Sequence, residues 1–209
     1  MDQTLKLNDV VNAAFFINLD RRPDRLTHVR NELANNNIKA KRYSAIDGND
    51  INLYPNLSRG AAGCLESQRS IINEGIENDY DAIAIFEDDV FFVEGFEEKF
   101  AEFYSQVPDD WEFIFLANNK YNATVNRISP NVEQISGGWS AHAFIIRRRA
   151  MLAASEIIIG GDMPVDVYYG ILQQYYPSYS AVPSLAGQRA DHSDIENTFI
   201  DYNSIYGLR

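Results

Sequence analysis

Apolar positions along the chain alternate between short unbroken runs and longer stretches with helical spacing. Residues 13–19 (AAFFINL) form a run of the kind a buried strand shows. Residues 20–36 follow with Pro23 near a helix start and Leu26, Val29 and Leu33 at helical intervals. Residues 40–46 predict a second, weaker strand, closed by the Asp47-Gly48 turn signal. A helix is expected over 61–76, its apolar face given by Leu65, Ile72 and Ile76. Residues 82–86 (AIAIF) are another buried strand, running directly into Glu87-Asp88-Asp89. Phe96, Phe100 and Phe103 mark the next helix. Strands at 113–116 and 140–146 flank a polar stretch with Asn118, Asn119, Gly137 and Gly138. Helices near 148–156 and 165–175 and a polar tail after Pro183 complete the reading.

Strand and helix alternate through the first half, which predicts a single α/β domain over 1–209 with a mixed, mostly parallel sheet and helices on both faces. Ligands in such sheets sit beyond the carboxyl ends of the strands. Those ends carry Asp20-Arg21-Arg22, Asp47-Gly48, Glu87-Asp88-Asp89 and Asn118-Asn119, so the sheet edge is lined with acids and amides.

Composition narrows the class of partner. With 18 basic against 30 acidic residues the net charge is −12, which disfavours a nucleic-acid backbone or an anionic membrane as partner. No apolar run approaches the roughly 20 residues of a membrane span, and the first residues lack the apolar core of a signal peptide. A lone cysteine, Cys64, has no internal disulfide partner. A reducing, cytoplasmic setting and a small polar ligand are the expectation.

The acidic triplet is the most pointed chemical signal. In an extended segment Glu87 and Asp89 share a face and Asp88 points away. Two hard carboxylates on one face suit Mg²⁺ or Mn²⁺, which also accept nucleotide phosphate oxygens; a strand ending in solvated acids is the plainer alternative.

Four stretches together resemble glycosyltransferase family 25, the lipopolysaccharide and collagen galactosyltransferase type: FFINLDRRPDRL at 15–26, GAAGCLESQRS at 60–70, IAIFEDDV at 83–90, and PVD with VPSLAGQRADHSDIE at 164–196. The resemblance implies a GT-A (Rossmann-like) fold and an inverting enzyme with a UDP-sugar donor. Residues 1–116 would form the nucleotide-sugar half, and 117–209 the acceptor half with its tail. It also implies that Asn18, Asp20, Arg21 and Arg25 surround the nucleotide, and arginine forks do match phosphate oxygens. Asp47 could accept from ribose or uracil, though an Asp-Gly turn needs no ligand. Gly60 and Gly63 would let backbone approach the donor, with Ser67 and Gln68 in reach of its sugar. The family commonly shows Ser-His where this chain has Ser67-Gln68. His192 is the histidine best placed to join Glu87 and Asp89 at the metal, with Asp191 and Asp194 as competitors. His142, within a strand, reads as a satisfied core histidine, and Cys64 as a small buried hydrophobe. Asp166, at a helix start, is the expected base for the acceptor hydroxyl, Asp162 the alternative; a helix-capping acid would look the same. Trp139 would stack on an acceptor sugar or be buried.

The function expected is therefore an inverting, metal-dependent transfer of a hexose, galactose or glucose, to a glycan or glycoprotein acceptor. A non-catalytic nucleotide-sugar- or glycan-binding domain is the alternative. A nucleotidyltransferase is disfavoured, because NLDRRPDR after the first strand lacks the glycine-rich loop that chemistry uses.

Overall fold

A computed structural model describes residues 4–51, 54–159, 161–193, 195 and 198–208. After a single helical turn, α1 (Leu7–Val10), comes the strand β1 (Ala13–Asn18) and the helix α2 (Pro23–Asn35), which has proline in its first turn. Then follow β2 (Lys41–Ser44), α3 (Arg59–Glu77), β3 (Ala82–Glu87), β4 (Val90–Phe92), α4 (Phe96–Tyr104) and β5 (Phe113–Phe115). The second half adds β6 (Thr124–Arg127), β7 (Val132–Ser136), β8 (Ala143–Arg147), α5 (Arg148–Ile157) and α6 (Val165–Leu172). Four short strands end it: β9 (Ser178–Ala181), β10 (Ala186–Gln188), β11 (Asp191–Ser193) and β12 (Thr198–Ile200).

Among the described residues the main sheet has eight strands in the order β2-β1-β3-β8-β5-β9-β7-β6. β8 and β7 oppose the direction of the other six, so the sheet is mixed and mostly parallel, and it runs through both halves of the chain. Strand alternation divides its side chains between two cores. Ala14, Phe16, Ala84, Phe86 and Ile145 pack beneath Val29 and Leu33 of α2 and the phenylalanines of α4. Phe15, Ile17, Ile83, Ile85, Phe144 and Ile146 pack beneath Leu65 and Ile72 of α3, Met151 of α5 and Tyr169 of α6. Helices thus cover both faces, as expected, and no helix among the described residues is long and apolar enough to cross a membrane.

The polar stretch before β8 holds a hairpin, β6–β7, and the polar tail holds strands that return to the site: β10 pairs with β4, and β11 with β12.

Candidate active site

Beyond the carboxyl ends of β1 and β3, on the face covered by α3 and α6, lies a cleft of about 1190 Å³. Parity decides which side chains enter it. Residues 17, 19 and 21 line the cleft, continuing the face of Phe15. Asn18 and Asp20 belong to the other parity and are not among its lining residues. The four residues expected around a nucleotide are therefore separated. Asn18 is buried, donating to Arg22 O (3.1 Å) and Asp88 Oδ2 (2.7 Å) and accepting from Arg42. Asp20 accepts from Arg42 (2.6 Å) and Ser44 (2.8 Å), which hold its carboxyl below the usual range.

Arg21 does line the cleft, donating to Asp47 Oδ2 at 2.8 Å. Arg25 reaches the cleft edge from α2, but its guanidinium is committed to protein groups. Nη1 lies 3.0 Å from Asp88 Oδ1 and 3.0 Å from Asp89 Oδ2, and Nη2 donates to His192 O at 3.0 Å. With Asp191 Oδ2 3.4 Å from Nε, this 7% exposed arginine is a tie among carboxylates in the cleft wall. Desolvation works against its charge, yet Asp89 and Asp88 hold the guanidinium more firmly protonated than usual.

The acidic triplet divides by the same parity. Asp88 turns back to Asn18 and Arg25. Glu87 Oε2 and Asp89 Oδ1 converge on a single amide, each 3.3 Å from Gln188 Nε2. Burial, then repulsion from Asp89 and Asp88, pushes Glu87 up to about 8. His192 departs from expectation: on β11 its side chain is exposed and outside the cleft lining, while its neighbours Asp191 and Ser193 face inward. Asp191 is instead the inward acid, bonded by Arg189 (2.5 Å) and Arg22 (3.1 Å). Burial would raise its pKa, but Arg189 and the His192 N–H hold it well below the carboxylate range. Asp194 lies outside the described residues. No group of three or more His, Cys, Asp or Glu suited to a metal occurs among the described residues, and of the expected set Glu87 and Asp89 line the cleft while His192 does not.

The start of α3 borders the cleft, capped by Ser58, whose side chain accepts from Ala61 N. Two glycines here, Gly63 of α3 and Gly48 of the preceding turn, are explained by backbone approach. A Cβ on Gly63 would lie 2.5 Å from Ile46 O, and one on Gly48 would lie 1.6 Å from Arg59 O. They lock α3 to the turn that carries Asp47. Ser67, which lines the cleft, and Gln68, which does not, both take part in this packing. Ser67 Oγ donates to Gly63 O (2.7 Å) and accepts from Ile46 N (2.9 Å). Gln68, fully buried and outside the cleft lining, donates to Ala141 O (3.3 Å) and accepts from Tyr169 OH (2.9 Å).

Asp166, in the first turn of α6, lines the cleft. Burial raises its pKa, against hydrogen bonds from the backbone N–H groups of Ser140, Val167 and Asp166 itself. Ser140 is held at φ 89°, a left-handed conformation uncommon outside glycine, in the wall facing this acid. Cys64 also lines the cleft, its Sγ 3.7 Å from Glu87 Oε1, and burial pushes its thiol up. Trp139 is 41% exposed at the cleft and meets Tyr121 edge-on at 6.5 Å between centroids. Gln188, Tyr206 and His142 complete the site without having been singled out for it. The first two arrive through long-range pairing of the tail, for which local pattern carries no signal. His142 shares the parity of Phe144 and Ile146, a signal that was available.

Residues 11–168 match the model for glycosyltransferase family 25 (LPS biosynthesis protein). Human procollagen galactosyltransferase 2 is 25% identical over 190 residues, 78% of this chain and 30% of that protein. A bovine probable inactive glycosyltransferase 25 family member 3 is 25% identical over 194 residues, covering 80% and 32% of the two chains. The chain thus spans about a third of the length of these curated relatives. Among solved structures, a Drosophila β-1,4-galactosyltransferase 7 in complex with manganese, UDP-Gal and xylobiose aligns with a TM-score of 0.40 at 10% identity, covering 94% of this chain and 80% of that one. The family match runs without a break from before β1, through the glycine-locked start of α3 and the acidic end of β3, to Asp166 in α6, and on that extent the chain belongs to glycosyltransferase family 25.

Proposed function

We propose that this domain is an inverting, metal-dependent transferase that moves a hexose, galactose or glucose, from a UDP-sugar to a glycan or glycoprotein acceptor. The observation that carries the reading is the convergence of Glu87 and Asp89 on one edge of the cleft that also contains the α3 N-terminus. Mg²⁺ and Mn²⁺ are often held by one or two carboxylates, the remaining positions going to phosphates and water, so a pair fits where an all-protein cage would not. Glu87 and Asp89 would hold the ion, which supplies Lewis-acid neutralisation of the diphosphate leaving group. The first turn of α3 contains no acid, so the backbone N–H groups there that Ser58 does not cap suit the same phosphates, with Arg21 as the nearby cation.

In the transfer, an acceptor hydroxyl oxygen forms a bond to the anomeric carbon while the bond from that carbon to the diphosphate breaks. UDP departs with the electron pair, and the hydroxyl proton passes to the Asp166 carboxylate. Asp166 suits that role because it is not committed to the metal pair and its desolvation makes it a stronger base. The exposed Trp139 face borders the acceptor side.

The test is UDP-induced stabilisation with and without a divalent ion. UDP should raise the melting temperature strongly with Mn²⁺ and weakly with chelator. Asp89→Asn, which keeps an oxygen for Arg25, should abolish the metal-dependent part; an unchanged metal dependence would remove the ion from this edge. Arg21→Ala should weaken UDP by about 1.5–3 kcal/mol, one to two decades, and uridine much less. Equal losses for both ligands would take Arg21 away from the phosphates.

A non-catalytic donor-binding domain is the second reading. Gln68 favours it, standing as a core tie where the family commonly has histidine. Mn²⁺-dependent UDP release from a UDP-hexose separates the two.

A further inference from the structure

His142 is an anomaly in this cleft. It is 1% exposed, and neither Nδ1 nor Nε2 has a hydrogen-bond partner. A neutral imidazole carries one donor and one acceptor, and leaving both unmade in a buried site is unfavourable. Its position is fixed from two sides. The β3–β8 ladder pairs Phe86 with Ala143, and Glu87 N donates to His142 O at 2.8 Å, so His142 is the cross-strand neighbour of Glu87 on the cleft face. The Tyr206 ring packs against the imidazole at 4.8 Å between centroids, its hydroxyl taken up by Gln188 Oε1 (2.7 Å) and Ser140 Oγ (3.0 Å). The Tyr206 hydroxyl is thus satisfied elsewhere, and His142, with both nitrogens unpaired, is among the residues that line the cleft.

We propose that His142 is a binding residue for the transferred sugar, exchanging hydrogen bonds with hydroxyl groups of the hexose beside the Glu87–Asp89 edge. The inference rests on the nucleotide-sugar reading above and adds to it a sugar subsite. Ligand chemistry selects hydroxyls over phosphate. A phosphate offers acceptors only and would leave one ring nitrogen facing an anion, whereas hydroxyls donate and accept.

The experiment measures three quantities on the full chain with Mn²⁺: the melting temperature, UDP affinity, and kcat/KM for UDP release from UDP-galactose and UDP-glucose. In His142→Phe the ring shape remains and the two nitrogens are lost. The melting temperature should stay level or rise, and UDP affinity should stay within about twofold. The kcat/KM for the preferred UDP-hexose should fall by about tenfold or more, the worth of one or two lost hydrogen bonds. His142→Gln, which restores a donor and an acceptor, should recover part of that loss. Near-wild-type turnover in His142→Phe would overturn the proposal. So would UDP affinity falling in step with the UDP-hexose, or a lowered melting temperature, which would assign the imidazole to the fold. A wild-type protein that binds neither UDP nor either UDP-hexose would instead overturn the nucleotide-sugar reading itself, and the two failures are read on different proteins.

Discussion

Asp166→Asn is expected to lower sugar transfer by about 10²–10⁴-fold while leaving donor and metal affinity nearly unchanged. A base acts in the transition state, so its removal should appear in turnover and not in ground-state binding. Asparagine keeps the size of the side chain and one acceptor oxygen for the N–H groups of Ser140 and Val167, so α6 and the Ser140 wall retain their contacts. Intact UDP stabilisation with lost transfer supports the base. Transfer at near the wild-type rate would reduce Asp166 to a helix-capping acid, and Asp162, exposed at the same cleft, would be the next variant. Collapse of donor binding along with transfer would move Asp166 into the sugar or metal contacts.

Arg25→Met should lower stability by about 3–5 kcal/mol, the usual result of removing one partner from a buried ion pair. For a domain of this length that is roughly 6–20 °C in melting temperature. Methionine replaces the volume but leaves Asp88, Asp89 and Asp191 without the shared guanidinium; the Arg25 and Asp88 side chains are 9% and 10% exposed, so solvent does little to compensate. Burial already raises the Asp88 pKa, and losing Arg25 should raise it further. An acid whose folded pKa lies above its unfolded value destabilises the fold once pH exceeds the unfolded value, and is relieved as it takes up a proton. The deficit of the variant should therefore shrink as pH falls from about 7.5 toward 5. Urea titrations at the two pH values check this; a deficit under about 1 kcal/mol would show that the tie contributes little.

The elements with wide apolar stripes were legible in the residues. The helix expected at 61–76 is α3, Arg59–Glu77, and the phenylalanines at 96, 100 and 103 do form the buried face of α4. What escaped was short and polar. All four residues of β6 are exposed, leaving neither a run nor an alternation to read, and β10, β11 and β12 are three residues each. β6 and β11 are held by the hairpins they make with β7 and β12, which polar residues do not announce, and β10 pairs with β4, a partner that no local window contains. At the site, alternation separated Glu87 and Asp89 from Asp88 in the residues and in the structure alike. The same rule at the end of β1 separates Arg21 from Asn18 and Asp20, where family resemblance had grouped them. Gln68 and Arg25 were unreadable for another reason: a polar side chain that satisfies buried groups has the same letter as one that meets a substrate.

The arginine tie also has a history in time. Arg25 joins Asp88 and Asp89 across 63 and 64 residues of chain, and the carbonyl of His192 across 167. At a synthesis rate of roughly 5–20 residues per second, Asp88 and Asp89 follow it by about 3–13 seconds, and Asp191 and the His192 carbonyl by about 8–33 seconds. The acidic edge can therefore acquire its neutralising charge while α2 and β3 are settling, before β11 exists to cover it. Contacts of such sequence separation form slowly, since each closes a long loop before it returns any stability. The cleft wall is complete only once Gln188, Asp191 and Tyr206 of the polar tail have been made, long after Arg25 and the acidic triplet.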